Sequence, residues 1–243
     1  MEMLRGEDLA INYGARNVFS GLNLSLIGGR FVALIGPNGS GKSSLLRVLG
    51  GAQAPTRGRV TRNGRVALIA PSGDPPGDLT PLDLASYGLS ARRRFWQWSL
   101  SVGEEQRIRD ALARADIADR ADDPMTSLSA GEVQRAWIAA ALATAPEVLL
   151  VDEPTTHLDL RFQVEILQTL AALAASGVAV VAAIHDLTLA ARFADEVALI
   201  ANGTLQTGPA DEILEATTLS DAFGITVGTH RHPQHGYLIC LPS

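Results

Sequence analysis

Gly36-Pro37-Asn38-Gly39-Ser40-Gly41-Lys42-Ser43 puts three glycines, an amine and two hydroxyls into eight consecutive positions. The segment fills every place of the pattern G-x-x-x-x-G-K-[ST]. Glycines let a backbone curl until successive N–H groups point into one hollow, which suits phosphate oxygens. The preceding Phe31-Val32-Ala33-Leu34-Ile35 is an unbroken apolar run and predicts a buried strand, and the residues from about Lys42 to Leu49 predict a helix. That strand–loop–helix context is what the pattern requires, and the helix N-terminus adds a dipole that favours anions. Lys42 is expected to reach the β- and γ-phosphates of a nucleotide, and the Ser43 hydroxyl to ligate Mg²⁺. Gly36 to Ser44 are thus the expected nucleotide-binding residues.

A second constellation is Val148-Leu149-Leu150-Val151-Asp152-Glu153, a buried-strand pattern ending in two carboxylates. Taken alone it reads as a solvated strand end. Beside a phosphate loop it reads as chemistry, because open α/β sheets bind ligands at the carboxyl ends of their strands. Successive strand residues point to opposite sides, so the two carboxylates need not share a role. Asp152 is assigned to the Mg²⁺ shell, through water, and Glu153 to the attacking water as general base or orienting group.

The elements that must hold these residues follow from the apolar pattern. Val66–Ile69 and Val178–Ile184 predict further buried strands, Leu22–Leu26 a half-buried one, and Leu160–Ala175 a helix. Buried strands alternating with helices indicate a largely parallel α/β sheet. From about Pro75 to Ala145 the patterns are helical, with Pro71–Gly77 as the entrance to this inserted subdomain. The length of 243 residues fits one large domain and no tandem duplication. The net charge of −6 argues against nucleic acid as a partner. One cysteine, Cys240, allows no internal disulfide and fits a reducing compartment. No apolar stretch reaches the roughly 20 residues a bilayer requires.

Leu128-Ser129-Ala130-Gly131-Glu132 precedes a helical run over Val133–Ala143. Ser129 and Glu132 make a capping box that any helix start could use. Gly131 is costly in a first turn, and close approach of a ligand would explain it. Here the chain resembles the ABC ATPases, whose signature is usually Leu-Ser-Gly-Gly-Gln/Glu; Ala130 replaces the first glycine. The resemblance spans essentially the whole chain, in the family's motif order. It implies a P-loop NTPase core with an inserted helical subdomain (about 75–145) and an N-terminal antiparallel β subdomain, all within one domain, 1–243. By the same resemblance Tyr13 stacks on adenine, Thr156-His157-Leu158-Asp159 is the D-loop, and His185 is the switch histidine at the γ-phosphate. The family further implies ATP and Mg²⁺ as ligands and a head-to-tail homodimer in which Ser129, Gly131 and Glu132 meet the partner's ATP. It also implies two transmembrane permease subunits, a substrate-binding protein, and a position at the cytoplasmic face of the membrane. Thr80-Pro81-Leu82-Asp83-Leu84 and the string His185 to Asp195 resemble the importers of iron-siderophore, haem and cobalamin. An exporter ATPase, an importer for another solute and a soluble non-transport ATPase are the alternatives. The last would need long coiled coils or a second ATPase unit, and the chain shows neither.

One departure concerns the strand Val66–Ile69. The family ends it on a glutamine, whereas this chain reads Ala70-Pro71-Ser72. Mg²⁺ is therefore expected on Ser43 and phosphate oxygens, with waters in the glutamine's place. Two further features read as ordinary structure. Arg92–Trp98, basic and aromatic, is a subdomain surface or a docking patch for the membrane subunit. His230, His232 and His235 flank a turn between short strands and predict no metal centre.

Overall fold

The computed structural model describes residues 1–70, 79–90 and 100–242. Pro71–Gly77 and Arg92–Trp98, including the position expected to carry the family's glutamine, lie outside the described residues. In chain order the elements are strands β1 (Glu2–Tyr13), β2 (Arg16–Ile27) and β3 (Phe31–Ile35), helix α1 (Lys42–Gly50), and strands β4 (Arg57–Arg62) and β5 (Val66–Ile69). Helices α2 (Pro81–Ser90), α3 (Val102–Arg114) and α4 (Ala130–Ala143) follow, the last two separated by short 3₁₀ turns. Then come β6 (Val148–Val151), α5 (Leu160–Ala175), β7 (Ala179–Ala183), α6 (Leu187–Phe193), β8 (Glu196–Ala201) and β9 (Thr204–Gly208). Helices α7 (Ala210–Ile213) and α8 (Ala216–Phe223) and the hairpin β10 (Val227–Arg231) and β11 (Leu238–Pro242) complete the chain.

The central sheet has the order β5-β6-β7-β3-β8-β9. All its pairings are parallel except β8 with β9. Its apolar runs are continuous because both faces are covered, and period-two alternation sorts each strand between two cores. Phe31, Ala33 and Ile35, with Leu149, Val151, Val180 and Ala182, face the helices of the larger core. Val32 and Leu34, with Val148, Leu150 and Val181, face α1 and the sheet β2-β1-β4. Each fully buried Leu, Val or Ile contributes on the order of 1.5–3 kcal/mol through lost water contact, so the strand ends rest on a frame filled from both sides.

Most of the expected elements appear within a residue or two. The strand expected at Leu22–Leu26 is the second half of the 12-residue β2. The helix expected from Val133 begins at Ala130, inside the signature segment. Between Leu79 and Ala145 the described residues form helices and turns and no strand. Among the described residues no helix is long and apolar enough to cross a membrane.

Candidate nucleotide-binding site

β6, β7 and β3 lie side by side, and their parallel registers bring Val151 beside Ala182 and Ala183 beside Leu34. Three carboxyl ends therefore emerge at one edge. β3 runs into the glycine-rich loop, β6 into Asp152-Glu153, and β7 toward His185. This is how residues 36–43, 152–153 and 185 become neighbours.

The loop's glycines have different reasons to be there. A Cβ on Gly36 (φ +148°) would stand 2.1 Å from the Ile200 carbonyl oxygen, and one on Gly41 (φ +106°) 2.7 Å from Val18. Gly39 (φ +77°) instead faces open space, with only the Arg16 guanidinium within 4 Å of its Cβ position. Helix α1 starts at Gly41 with no side-chain cap and no acidic residue in its first turn. Its first N–H groups thus remain available to an anion. The Ser40 hydroxyl is buried without a partner. An uncapped helix start, a loop hollow held open by glycine and a donor without an acceptor fit a phosphate chain.

Lys42 is buried, and its ammonium donates to the carbonyls of Gly36 (2.7 Å) and Pro37 (3.1 Å). Burial lowers its pKa, against the charges of Glu153 and Asp152. The Ser43 hydroxyl donates to Asp152 Oδ1 at 3.1 Å. Burial raises the Asp152 carboxyl above its ordinary value despite that hydrogen bond, and the Glu153 charge adds to the rise. A hydroxyl beside a carboxylate is a hard-oxygen donor set of the kind Mg²⁺ takes. Glu153 lies at φ +53°, a left-handed backbone that costs a non-glycine residue roughly 1–2 kcal/mol. Its carboxylate sits 3.0 Å from His185 Nε2 and accepts from the Thr156 hydroxyl at 3.2 Å. Burial would raise its pKa. His185, Thr156 and Lys42 together outweigh burial and bring it below the ordinary value.

Tyr13 closes the arrangement at the edge of β1. Its hydroxyl donates to Gln53 Oε1 (3.0 Å) and lies 3.1 Å from Ser44 Oγ, while the residue stays half exposed. A cavity of about 230 Å³ is lined by Tyr13, Arg16, Val18, loop and α1 residues between Asn38 and Ser44, and Glu153. Arg16 and Val18 are the lining residues that the sequence reading missed. Their only signal is their place just after the Tyr13-Gly14-Ala15 turn.

The sequence pattern that defines the ABC transporter family matches residues 19–156. The chain belongs to that family. This ABC ATPase is 35% identical to a hemin import ATP-binding protein of Thermobifida fusca, over 99% of this chain and 88% of the relative. It is 36% identical to an iron(3+)-hydroxamate import ATP-binding protein of Bacillus subtilis, over 99% of this chain and 95% of that one. A solved structure given as a metal-chelate type ABC transporter in an inward-facing conformation superposes with a TM-score of 0.91. It is 27% identical and covers 100% of this chain and 98% of its own.

The signature segment of the ABC ATPase lies apart from this cavity. Ser129, Gly131, Glu132 and Asp159 are absent from its lining. Ser129 and Glu132 form the expected capping box, each bonding the other's backbone N–H. Asp159 caps α5, accepting from Phe162 N at 3.0 Å. The reason for Gly131 is partly internal, since a Cβ there would fall 2.6 Å from Phe162 Cδ1. The helix after His185 buries Leu189 and Ala190 most deeply, with Leu187, Ala191 and Ala194 only partly covered. Asp186 caps it, accepting from Leu189 N. Among the described residues no cluster of three metal-ligating side chains occurs, and the His232 ring packs at a tilt against those of His235 and Tyr237 in the last hairpin.

Proposed function

We propose that this chain is the nucleotide-binding subunit of an ABC importer. It binds and hydrolyses ATP as a head-to-tail homodimer and drives inward movement of an iron chelate or haem. The observation that carries the chemistry is the meeting of Lys42, Ser43, Asp152, Glu153 and His185 at three adjacent strand ends. The cargo rests on the hemin and iron-hydroxamate import named for the relatives. The chain acts as one ABC ATPase domain, with residues of about 75–145 as the subdomain facing two permease subunits at the cytoplasmic face of the membrane. A substrate-binding protein delivers the cargo.

The roles assigned to the strand-end residues are supported by their proximity, and those of Tyr13, Ser129, Gly131, Glu132 and Asp159 by the family resemblance. Tyr13 stacks on adenine, and the loop N–H groups and Lys42 bind the phosphates. Ser43 directly, and Asp152 through water, would hold Mg²⁺, which supplies charge neutralisation at the transferred phosphoryl group. Glu153, whose pKa His185 lowers against burial, orients the attacking water and accepts its proton. His185 positions Glu153 and contacts the terminal phosphate. Ser129, Gly131 and Glu132 act on the nucleotide held by the second copy, with Asp159 at the seam. Cells lacking this chain should lose uptake of siderophore-iron or haem, and regain it with the wild-type gene but not with Lys42→Ala. Unimpaired uptake of both, with another solute lost, would refute the cargo.

A further inference from the structure

We infer that Arg16 is a nucleotide-binding residue that contacts the phosphate chain from the mouth of the cavity. The inference rests on the nucleotide reading above and extends it to a residue outside the glycine-rich loop. Tyr13 and Arg16 are cross-strand partners either side of the Gly14-Ala15 turn, so one tight hairpin delivers both to the same cavity. β2 is pinned against the loop two residues further on. Val18 and Phe19 occupy the space where a Cβ on Gly41 would sit, at 2.7 and 2.9 Å. Val18 and Arg16 therefore line the cavity together. The Arg16 guanidinium comes within 3.5 Å of the Cβ position of Gly39, and no side chain stands between it and the apex of the loop.

Charge supports a ligand over a structural role. Elsewhere on the same sheet Arg57 pairs with Asp8 and Arg59 with Glu7. Arg16 has no carboxylate partner among the described residues, in a chain of net charge −6. The cavity lining holds two cations, Arg16 and Lys42, and one carboxylate, Glu153, which is already engaged by His185. Such a hollow favours an anion. A guanidinium fork matches the geometry of phosphate oxygens and reaches them from an exposed strand end without desolvating the chain.

The test is calorimetric titration of the full chain with a non-hydrolysable ATP analogue, at low and at raised ionic strength. Arg16→Ala should weaken binding about fivefold at low salt, the scale of one solvent-exposed charge-assisted contact. Added salt should narrow that gap, and Arg16→Lys should keep most of the affinity. Unchanged affinity in Arg16→Ala, or a loss that salt does not narrow or that lysine does not restore, overturns the inference. Lys42→Ala separates the two readings. If the wild type binds no nucleotide, or Lys42→Ala binds as well as wild type, the nucleotide site itself is wrong. If Lys42→Ala loses binding while Arg16→Ala does not, only the role of Arg16 falls.

Discussion

The strand-end site and the signature segment are built on opposite plans. At the strand ends, buried polar groups are left poised. Among the described residues Lys42 donates to carbonyls of its own loop, the Ser40 hydroxyl has no partner, and Glu153 sits in a strained backbone. At the signature, every polar group named here is satisfied within the chain. Ser129 and Glu132 cap each other, and Gly131 is covered by Phe162. The first region stores unsatisfied valence for a ligand bound by this chain. The second has its named polar groups already paired, which suits contact with something brought by another molecule.

Breaking the first region should give the largest effect. Glu153→Gln keeps the shape and removes the proposed base. Phosphate release should fall at least ~10²-fold, while equilibrium binding of ATP persists and the ATP-bound dimer accumulates. Wild-type turnover would remove Glu153 from its role. Lys42→Ala should instead lose the binding itself.

A mixing experiment sharpens the comparison. Lys42→Ala and Ser129→Arg should each be inactive alone, because each lesion spoils both sites of a symmetric pair. Combined and allowed to exchange, half the dimers are mixed and each mixed dimer holds one intact site, so about a quarter of wild-type hydrolysis should return. No recovery, with mixed dimers demonstrated by cross-linking, would show that signature and phosphate loop serve the same chain's nucleotide.

The pH profile tests the first region alone. Glu153 has a lowered folded pKa, so the base function proposed for it should be present above that value and be lost as pH falls through it. His185→Ala removes the hydrogen bond and charge that contribute most to lowering it, leaving only Thr156 and Lys42 to oppose burial. The acid limb of kcat should therefore move to higher pH. An unmoved limb would mean that His185 does not set the ionisation of Glu153.

The two regions also differ in how far they could be read from sequence. The phosphate loop and acidic pair were legible because their chemistry is local: eight consecutive residues, then two at the end of an apolar run. Four strands of the central sheet, β3, β5, β6 and β7, were legible because both faces are buried there, which leaves uninterrupted runs such as Val148–Val151, whereas β8 and β9 were not read as strands. Arg16 was not legible. Its place depends on the register of a hairpin and on the packing of Val18 and Phe19 against Gly41, which are long-range facts. The reason for Gly131 was half legible. Its cost in a helix start was plain, but Phe162 lies 31 positions away in sequence and meets it only through the packing of α4 on α5.

Gly131→Ala should give the smallest effect and separates that packing reason from a ligand reason. An alanine Cβ would stand 2.6 Å from Phe162 Cδ1 and 2.8 Å from Cγ, so the ring must shift. Overpacking of this kind costs about 1–3 kcal/mol, while alanine regains up to roughly 1 kcal/mol of helix propensity. The net sign is destabilising, a drop of about 2–4 °C in Tm for each kcal/mol in a chain of this size. Phe162→Ala removes the obstacle, so in that background Gly131→Ala should be neutral or stabilising, a coupling that a double-mutant cycle reads directly. If Gly131→Ala leaves Tm unchanged in both backgrounds yet lowers hydrolysis, the glycine is there for the partner's nucleotide and the Phe162 contact is incidental. If Tm falls and recovers as expected while hydrolysis per folded dimer is untouched, Gly131 serves the packing of Phe162 and makes no contact across the surface.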